Sequence, residues 1–462
     1  MKRFVIFALL LTVSLSSLAQ TLTTNDTLVN QAFELAVWTI DHNTHNQILE
    51  AGAGYGGEWT RDCAMNSWNA ASMLRPKVAE NSLWSVTIDS LTIGHQYWDK
   101  IVWTIAAYNH YLVTGDEAFL NMAYPCAKNT MEELEKQCFD TVSGLFMGPA
   151  VFQDGIAGYD EPVYDPQKWD DSFVLHHPNS STIKCLSTNL VYYQSYRVLA
   201  EMALLKEPGM VSEFNEKTES LKAKIRVTFY RPEEHKFYYL IDHLGHPHDY
   251  QEGLGLAFVM LFDVVSEDEA ADIVQNAYVS KHGLPCIYPS FPRNTPDKPG
   301  RHNMMVWPHV NMYFASGCAH QKQYDAFYFE LYNLVDLAMN RGKGDFYEIY
   351  TLEGEPSGGY QCGALWDKKE HQTWCATGFI RLFLNHIFGL TPASDGLELH
   401  PIGMKDGLEC RLDDIRYRNS KLSVKIKGHG ETVRSCRING VETEPFIPAD
   451  AEGDVTVEVV LE

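Results

Sequence analysis

The stretch WDKIVWTIAAYNHYLVTGDEAFLNMAYPCAKNTMEELEKQ, residues 98–137, contains the repeating unit of this chain. Apolar residues recur at helical spacing on both sides of a break at Thr114, Gly115 and Asp116, a pattern that predicts two helices joined by a short turn. The same pattern of helix, short turn and helix returns between about residue 25 and residue 390. Most of the chain is therefore expected to be a series of helical hairpins.

The candidate helices number eleven, close to the twelve that a closed ring of six hairpins needs. Besides the two above and the helix that should follow Asp62, they are 28–40, 186–205, 211–230, 252–265, 266–279, 304–320, 321–340 and 371–388. After Pro392 the pattern changes to short alternating runs such as KLSVKIKGHG, which predict antiparallel strands. We expect an all-α (α/α)6 toroid of six helical hairpins over residues 20–390 and a small C-terminal antiparallel β-domain, sandwich-like, over residues 391–462.

The first twenty residues, MKRFVIFALLLTVSLSSLAQ, have the organisation of a secretory signal peptide. Two basic residues precede an apolar run, and small residues ending at Ala19 precede the expected cleavage point. We therefore assign residues 1–19 to a signal peptide and expect a periplasmic or secreted protein with no membrane insertion after cleavage.

The composition excludes several classes of function. A net charge of −23 at pH 7 leaves no basic surplus to neutralise a phosphate backbone, so nucleic acid is not an expected partner. The ten cysteines are scattered without a C-x-x-C pair, which favours buried thiols, although one or two disulfide bridges stay open. No metal-ligand spacing is present either, so neither a metal nor another cofactor is expected.

Two acidic clusters lie in the long Gly-, Pro- and aromatic-rich segments 139–186, 279–304 and 342–370, which should meet on one face of the ring. Asp170 and Asp171 follow Trp169 in the first segment, and Glu348 lies between two tyrosines in the last. Carboxylates among aromatic rings are partly desolvated, which raises the pKa toward that of a general acid. A helix cap at the aspartates and an ion pair at Glu348 are the structural alternatives.

Residues 30–390 resemble the six-hairpin glycosidases, the clan of trehalases, glucoamylases and glycoside hydrolase family 63, and within it the mannosylglycerate-hydrolase-like group. WDDS (169–172) resembles the element that carries the general acid, which implies Asp170. YEIYTLEGEPSGG (347–359) resembles the element of the general base, which implies Glu348. The usual context ESGWDNS is DPQKWDDS here, so Asp171 and Asp154, in FQDGIAGY, also remain candidates for the acid.

The resemblance extends to residues that bind the sugar. HNMMVWPHVNMY (302–313), HQTWCATGF (371–379) and EWTRDCAMNSW (58–68) resemble pocket-lining segments, the last with an Arg-Asp pair that contacts sugar hydroxyls. Indole rings stack on the apolar faces of sugars, and an arginine offers a planar fork of donors. The candidate substrate-binding residues are Trp59, Arg61, Asp62, Trp98, Asp99, Asp154, Trp169, Asp171, Trp307, Gln372 and Trp374.

The mechanism implied is inverting glycoside hydrolysis, with two carboxyl groups roughly 6.5 to 9.5 Å apart on opposite sides of the scissile bond. An exo-acting α-glycosidase, glucosidase- or mannosidase-like, that acts on an oligosaccharide or glycan is the main hypothesis. A polysaccharide lyase, a sugar epimerase, a phosphorylase and a non-catalytic glycan-binding protein are the alternatives.

Overall fold

The computed structural model describes residues 20–462, so the expected signal peptide lies outside the described residues. Thirteen α-helices form within these residues: α1 (Thr27–His42), α2 (Thr60–Asn66), α3 (Ser72–Leu74), α4 (Pro76–Ser85), α5 (Val102–Thr114), α6 (Glu117–Cys138), α7 (Leu186–Lys206), α8 (Val211–Phe229), α9 (Gly253–Leu261), α10 (Glu267–Asn276), α11 (Pro308–His320), α12 (Tyr324–Asp336) and α13 (Thr373–Leu382). Turns of π-helix span Ser67–Ala71, Leu337–Arg341 and Phe383–Ile387, and short 3₁₀ turns span Ile156–Gly158, Pro166–Lys168, Val174–His176, Ser180–Thr182, Pro208–Met210 and Pro232–Glu234.

Six inner helices form a closed ring. In chain order, α2, α5, α7, α9, α11 and α13 each pack against the next, and α13 packs back against α2. The inner helices are apolar on nearly all sides, as expected for helices that neighbours surround; in α9, for example, all residues from Gly253 to Met260 are buried. Helices α1, α4, α6, α8, α10 and α12 alternate with the inner ones along the chain and form the outer layer.

The hairpin of α5 and α6 has the turn that its sequence predicts. Gly115 ends α5 in the left-handed conformation at φ +70°, which glycine adopts without strain. The side chain of Asp116 then accepts a hydrogen bond from the backbone N–H of Phe119 and caps α6.

The sequence prediction missed α4, the helix that completes the twelve helices of the six hairpins. Its buried side is narrow, with only Ala79, Ser82 and Leu83 inside. An apolar stripe of three residues, one of them a serine, gives too weak a periodic signal to identify a helix.

Eight strands follow the ring and form two sheets. They are Leu390–Pro392, Gly396–Leu399, Cys410–Tyr417, Ser420–Lys427, Val433–Ile438, Val441–Glu442, Phe446–Pro448 and Gly453–Leu461. The larger sheet has six strands and departs from the wholly antiparallel C-terminal unit that was expected. Ser420–Lys427 and Gly453–Leu461 pair in parallel, because the last strand inserts between Ser420–Lys427 and Val433–Ile438. The N-terminal strand Thr21–Thr23 forms one edge of the same sheet, next to Cys410–Tyr417.

The long connecting segments are held by short β-pairings. Two-residue strands occur at Thr44–His45, Ile48–Leu49, Thr87–Ile88, Thr92–Ile93, Phe139–Asp140, Leu145–Phe146, Lys184–Cys185, Tyr230–Arg231, Lys236–Phe237, Leu240–Ile241, Pro247–His248, Gln251–Glu252, Ile287–Tyr288, Ile349–Tyr350, Pro356–Ser357, Tyr360–Gln361 and Ala364–Leu365. The long segments 139–186, 279–304 and 342–370 lead into α7, α11 and α13. They therefore meet at the end of the ring where the inner helices begin.

All ten cysteines are free thiols, and Cys362 alone among them is not fully buried. Between residues 20 and 462, no helix is both long enough and apolar enough to cross a membrane. In the same part of the chain, no group of three or more His, Cys, Asp or Glu side chains is arranged to hold a metal ion.

Candidate active site

A cavity of about 300 Å³ opens at the end of the ring where the inner helices begin. Its walls come from the start of α2 and from the segments that precede α7, α11 and α13. The lining residues are Ala51, Tyr55, Trp59, Arg61, Asp62, Phe152, Asp154, Gly155, Ser172, Phe173, Arg301, His302, Glu348, Gln361, Trp366 and Trp374.

Glu348, one residue before the short strand Ile349–Tyr350, is a buried carboxylate with strong donors on both oxygens. Its Oε1 accepts a hydrogen bond from Nη2 of Arg301 at 2.6 Å, and its Oε2 accepts one from the hydroxyl of Tyr55 at 2.6 Å. Nε2 of His302 lies 3.6 Å from Oε1. Burial raises the pKa of Glu348, but Arg301, His302 and Tyr55 lower it more, so the pKa lies well below its usual value. The group is therefore ionised at any physiological pH and can accept a proton.

Arg61 connects three carboxylates on another part of the wall. It extends from the first turn of α2, which begins at Thr60. Its Nη2 donates to Oδ2 of Asp154 at 2.8 Å, and Nη1 lies 3.7 Å from Oδ2 of Asp99. Its Nε lies 3.8 Å from Oδ2 of Asp62, and Nη1 also donates to Gln96. These four residues, Arg61, Asp62, Asp99 and Asp154, are called the Arg61 cluster below.

The three aspartates of the Arg61 cluster differ in proton affinity. Burial raises the pKa of Asp62 and of Asp99 to about 7, even though Arg61 opposes that shift. Burial also acts to raise the pKa of Asp154, but the charge and the hydrogen bond of Arg61 outweigh it, so this pKa is below its usual value. Near neutral pH the cluster therefore binds protons on Asp62 and Asp99, while Asp154 is the ionised partner of Arg61.

Aromatic side chains frame the cavity. Trp59 and Trp366 are partly exposed, at 38% and 37%, and the guanidinium groups of Arg61 and Arg301 lie over their rings. Trp374 borders the cavity with little exposure, and its indole Nε1 has no hydrogen-bond partner within residues 20–462. Flat apolar rings beside charged donors are the combination that a sugar ring needs.

Six of the residues predicted from the sequence line this cavity: Trp59, Arg61, Asp62, Asp154, Glu348 and Trp374. Asp99 lies behind Arg61 and is almost fully buried. Three other predicted residues are buried and support the wall. Trp98 packs against Tyr97 and Phe173, Trp307 stacks on His302 with ring centroids 4.2 Å apart, and Gln372 donates to the backbone carbonyl of Glu370.

The structure corrects the placement of the WDDS segment. Trp169 is 59% exposed, Asp170 is exposed, and neither lines the cavity. The half-buried Asp171 accepts from Nδ1 of His176 at 2.9 Å instead. The segment reaches the lining only at Ser172 and Phe173. The carboxylate that the loop before α7 contributes to the cavity is therefore Asp154.

Sequence reasoning missed several lining residues, among them Tyr55, Arg301, His302 and Trp366. Two of them stand in sequence contexts that could have pointed to a binding site. Tyr55 stands in the glycine-rich run AGAGYGGEW, and Arg301 precedes the Trp-Pro stretch at the end of a Gly- and Pro-rich loop. His302 has a positive φ of 58°, a feature that only the folded chain reveals.

Comparison with known proteins identifies the family to which this chain belongs. Residues 94–375 match the model of the mannosylglycerate hydrolase MGH1-like glycoside hydrolase domain. No curated protein matches the chain.

Solved structures share the fold. A GH63 mannosylglycerate hydrolase from Thermus thermophilus in complex with Tris is 15% identical with a TM-score of 0.60, over 76% of this chain and 99% of that one. A GH78 family rhamnosidase of Bacillus sp. GL1 is 14% identical with a TM-score of 0.63, over 96% of this chain and 44% of that one. A sialidase is 15% identical with a TM-score of 0.65, over 86% of this chain and 37% of the sialidase. This chain therefore spans little more than a third of the length of the sialidase. These likenesses establish the (α/α)6 ring.

Proposed function

Because the chain belongs to the mannosylglycerate hydrolase MGH1-like family and is a glycoside hydrolase, we propose that it is an inverting, exo-acting enzyme. It removes a terminal α-linked sugar from an oligosaccharide or glycan. The observation that supports this most is that an ionised, firmly held Glu348 lines the same cavity as Arg61, Asp62 and Asp154 of the Arg61 cluster. The volume, about 300 Å³, is at the small end for ligand sites and suits one terminal sugar better than a continuous chain.

Glu348 is the general base and Asp154 the general acid in this proposal. Glu348 takes a proton from a water molecule, and the water oxygen attacks the anomeric carbon. The bond from that carbon to the glycosidic oxygen breaks, and the leaving oxygen takes a proton from Asp154. Because water attacks the face opposite the leaving group, the anomeric configuration inverts.

Access favours Asp154 over Asp62 as the acid. The side chain of Asp154 is 32% exposed and that of Asp62 is 4% exposed, so Asp154 reaches further toward a glycosidic oxygen. Arg61 holds Asp154 ionised in the free enzyme, and the aspartates with a pKa of about 7 hold protons beside the same guanidinium. Substrate hydroxyls that bind Arg61 weaken its hold on Asp154, which can then take up a proton from the cluster.

Arg61 and Asp62 bind the hydroxyls of the terminal sugar, and Trp59 and Trp366 stack on its apolar faces. The arginine supplies a planar donor fork. Asp62 stands in the first turn of α2, and because burial raises its pKa to about 7, its carboxyl group is protonated in part near neutral pH and can both donate to and accept from a sugar hydroxyl.

We also propose that residues 1–19 are a cleaved signal peptide and that the enzyme acts in the periplasm or outside the cell. The support is the basic, apolar and small-residue order of this segment. N-terminal sequencing of the mature protein should begin at Gln20. A mature protein that retains residues 1–19 would contradict the proposal.

The catalytic assignment is tested with Asp154→Asn, Glu348→Gln and, as a matched control, Asp170→Asn. Proton NMR on a panel of α-linked disaccharides and glycans identifies the anomer that is released first. We expect the first two variants to lose about a hundredfold to ten-thousandfold in kcat and the control to keep its rate.

Glycosyl fluorides separate the two roles, because fluoride leaves without a proton from the enzyme. Asp154→Asn should keep most of its activity on the fluoride, whereas Glu348→Gln should lose it. An active Asp154→Asn together with an inactive Asp170→Asn would return the acid to Asp170. Release of the product with retained configuration would exclude the inverting mechanism.

A further inference from the structure

A second cavity, of about 580 Å³, lies at the other end of the ring, where the inner helices finish. Side chains near the ends of α9, α11 and α13 form one wall, and residues of the following strands and their connections form another. Arg381, in the last turn of α13, borders this cavity together with His386, Gln194 and Asn385. None of these residues takes part in the proposed catalysis.

Arg381 is a buried cation for which residues 20–462 supply no carboxylate partner. Only 4% of the residue is exposed, and no group within residues 20–462 accepts a hydrogen bond from its Nε or Nη1. The guanidinium carbon lies 4.3 Å from the ring centre of Trp68 and 5.7 Å from that of Tyr313. Burial lowers the pKa of Arg381, and the hydroxyl of Tyr313 opposes this shift in part.

The compensation that the protein supplies is small beside the cost of burial. Removing an ion from water carries a large desolvation cost, and a cation over aromatic rings recovers only part of it. The carbonyl ends of the inner helices add a further, partial attraction. Buried charges in proteins are normally paired, so the surroundings of Arg381 lack a counter-ion.

The rest of the cavity suits an anion. His386 is half-buried, and desolvation together with Arg381 lowers its pKa to about 3, so the ring is neutral. Its Nε2 has no partner within residues 20–462. Within residues 20–462, the one carboxylate in the lining is that of Glu431, whose Oε2 lies 3.6 Å from Nζ of Lys322; this lysine also pairs with Glu267 at 3.2 Å. The lining therefore offers unpaired donors and more positive than negative charge.

We propose that this cavity binds an oxyanion, a carboxylate or phosphate group, against the guanidinium of Arg381. The planar fork of arginine matches the oxygen spacing of both groups. Leu399, His400 and Pro401 border the same cavity, so the bound anion bridges the helical ring and the strands that follow it. The proposal does not depend on the catalytic assignment, and its failure would leave that assignment intact.

The test titrates inorganic phosphate, and separately acetate, into the full-length protein at constant ionic strength, by calorimetry and by thermal unfolding. We expect saturable binding of at least one of the two anions, with a rise in Tm. Arg381→Met should abolish both effects, and Arg381→Lys, which keeps the charge without the fork, should weaken binding about tenfold or more. The matched control Arg416→Met removes an exposed arginine of the strand Cys410–Tyr417 and should bind like the wild type.

Three results would overturn the proposal. The first is an absence of saturable binding of either anion to the wild type, which needs no variant. The second is unchanged binding in Arg381→Met, which would place the anion elsewhere, for example at Arg301. The third is saturable binding of chloride without binding of either oxyanion. If Arg381→Met does not fold, the titrations of the wild type and of Arg381→Lys decide whether the anion binds at Arg381.

Discussion

Asp99 should set the pH range of activity although it does not line the cavity. Hydrolysis in the proposed mechanism needs an ionised Glu348 and a proton on Asp154. The pKa of Glu348 is far below its usual value, so the base stays ionised as the pH falls. The Arg61 cluster gives up its proton as the pH rises through about 7, so kcat/KM should fall over that range. Replacing Asp99 with Asn removes a group that becomes negatively charged as the pH rises above its pKa of about 7.

The size of the effect follows from the geometry around Arg61. Asp154 lies 2.8 Å from Nη2, and Asp99 lies 3.7 Å from Nη1 of the same guanidinium. Carboxylates placed in this way are roughly 7 Å apart and repel by about 2 kcal/mol at an effective dielectric constant of about 20. This repulsion corresponds to about 1.5 pKa units. In Asp99→Asn the repulsion is lost and Arg61 is freed for Asp154, and both changes lower the pKa of the acid.

The assay is the pH dependence of kcat/KM on the substrate found by the panel. The alkaline limb of Asp99→Asn should move to lower pH by about one unit or more, with circular dichroism to confirm the fold. Asp171→Asn, which removes a half-buried carboxylate bound to His176, is the control and should leave the limb in place. An unchanged limb in Asp99→Asn, or one that moves to higher pH, would refute the proposed coupling through Arg61.

Two further predictions concern the sugar platform and a buried acid. Trp59→Ala should raise KM about tenfold and change kcat little, because it removes a surface of the active-site cavity on which the sugar stacks. Initial-rate measurements that show an unchanged KM would exclude this role. Burial raises the pKa of Glu252 from 4.5 to about 8. The protonated group therefore stabilises the folded state fully below pH 4.5, and this stabilisation is lost as the pH rises to about 8. The loss is up to about 1.4 kcal/mol per pH unit. Glu252→Gln should therefore unfold at higher urea than the wild type at pH 9, and equal midpoints there would contradict the shift.

The hairpin fold could be predicted largely from the sequence, because each of its signals is local. The break at Gly115 and the cap at Asp116 lie within a few residues of the helices that they separate. Helix α4 was missed since its three buried residues give almost no periodicity. The parallel pairing of Gly453–Leu461 was missed because alternation along a strand carries no information about the direction of its neighbour.

The sequence pointed to lining residues of the cavity where one short segment contains them and missed those that distant segments bring together. Arg61 and Asp62 are adjacent, and Glu348 stands in a distinctive aromatic context, so all three were named, and all three line the cavity. Tyr55, which reaches Glu348 across 293 residues, was not named, and the contact of Asp154 with Arg61 across 93 residues could not be read from either segment. The WDDS segment resembles a catalytic element in its sequence, but Trp169 and Asp170 are exposed, and Ser172 is its one residue in the cavity lining among the described residues.

The closure of α13 on α2 makes the order of synthesis important for folding. The first inner helix is complete by residue 74, yet its last neighbour in the ring is made only at residues 373–382. Until then the apolar flank of α2 stays uncovered on the growing chain, and contacts across such long sequence separations form slowly. During synthesis this open seam is the surface that a chaperone would need to shield.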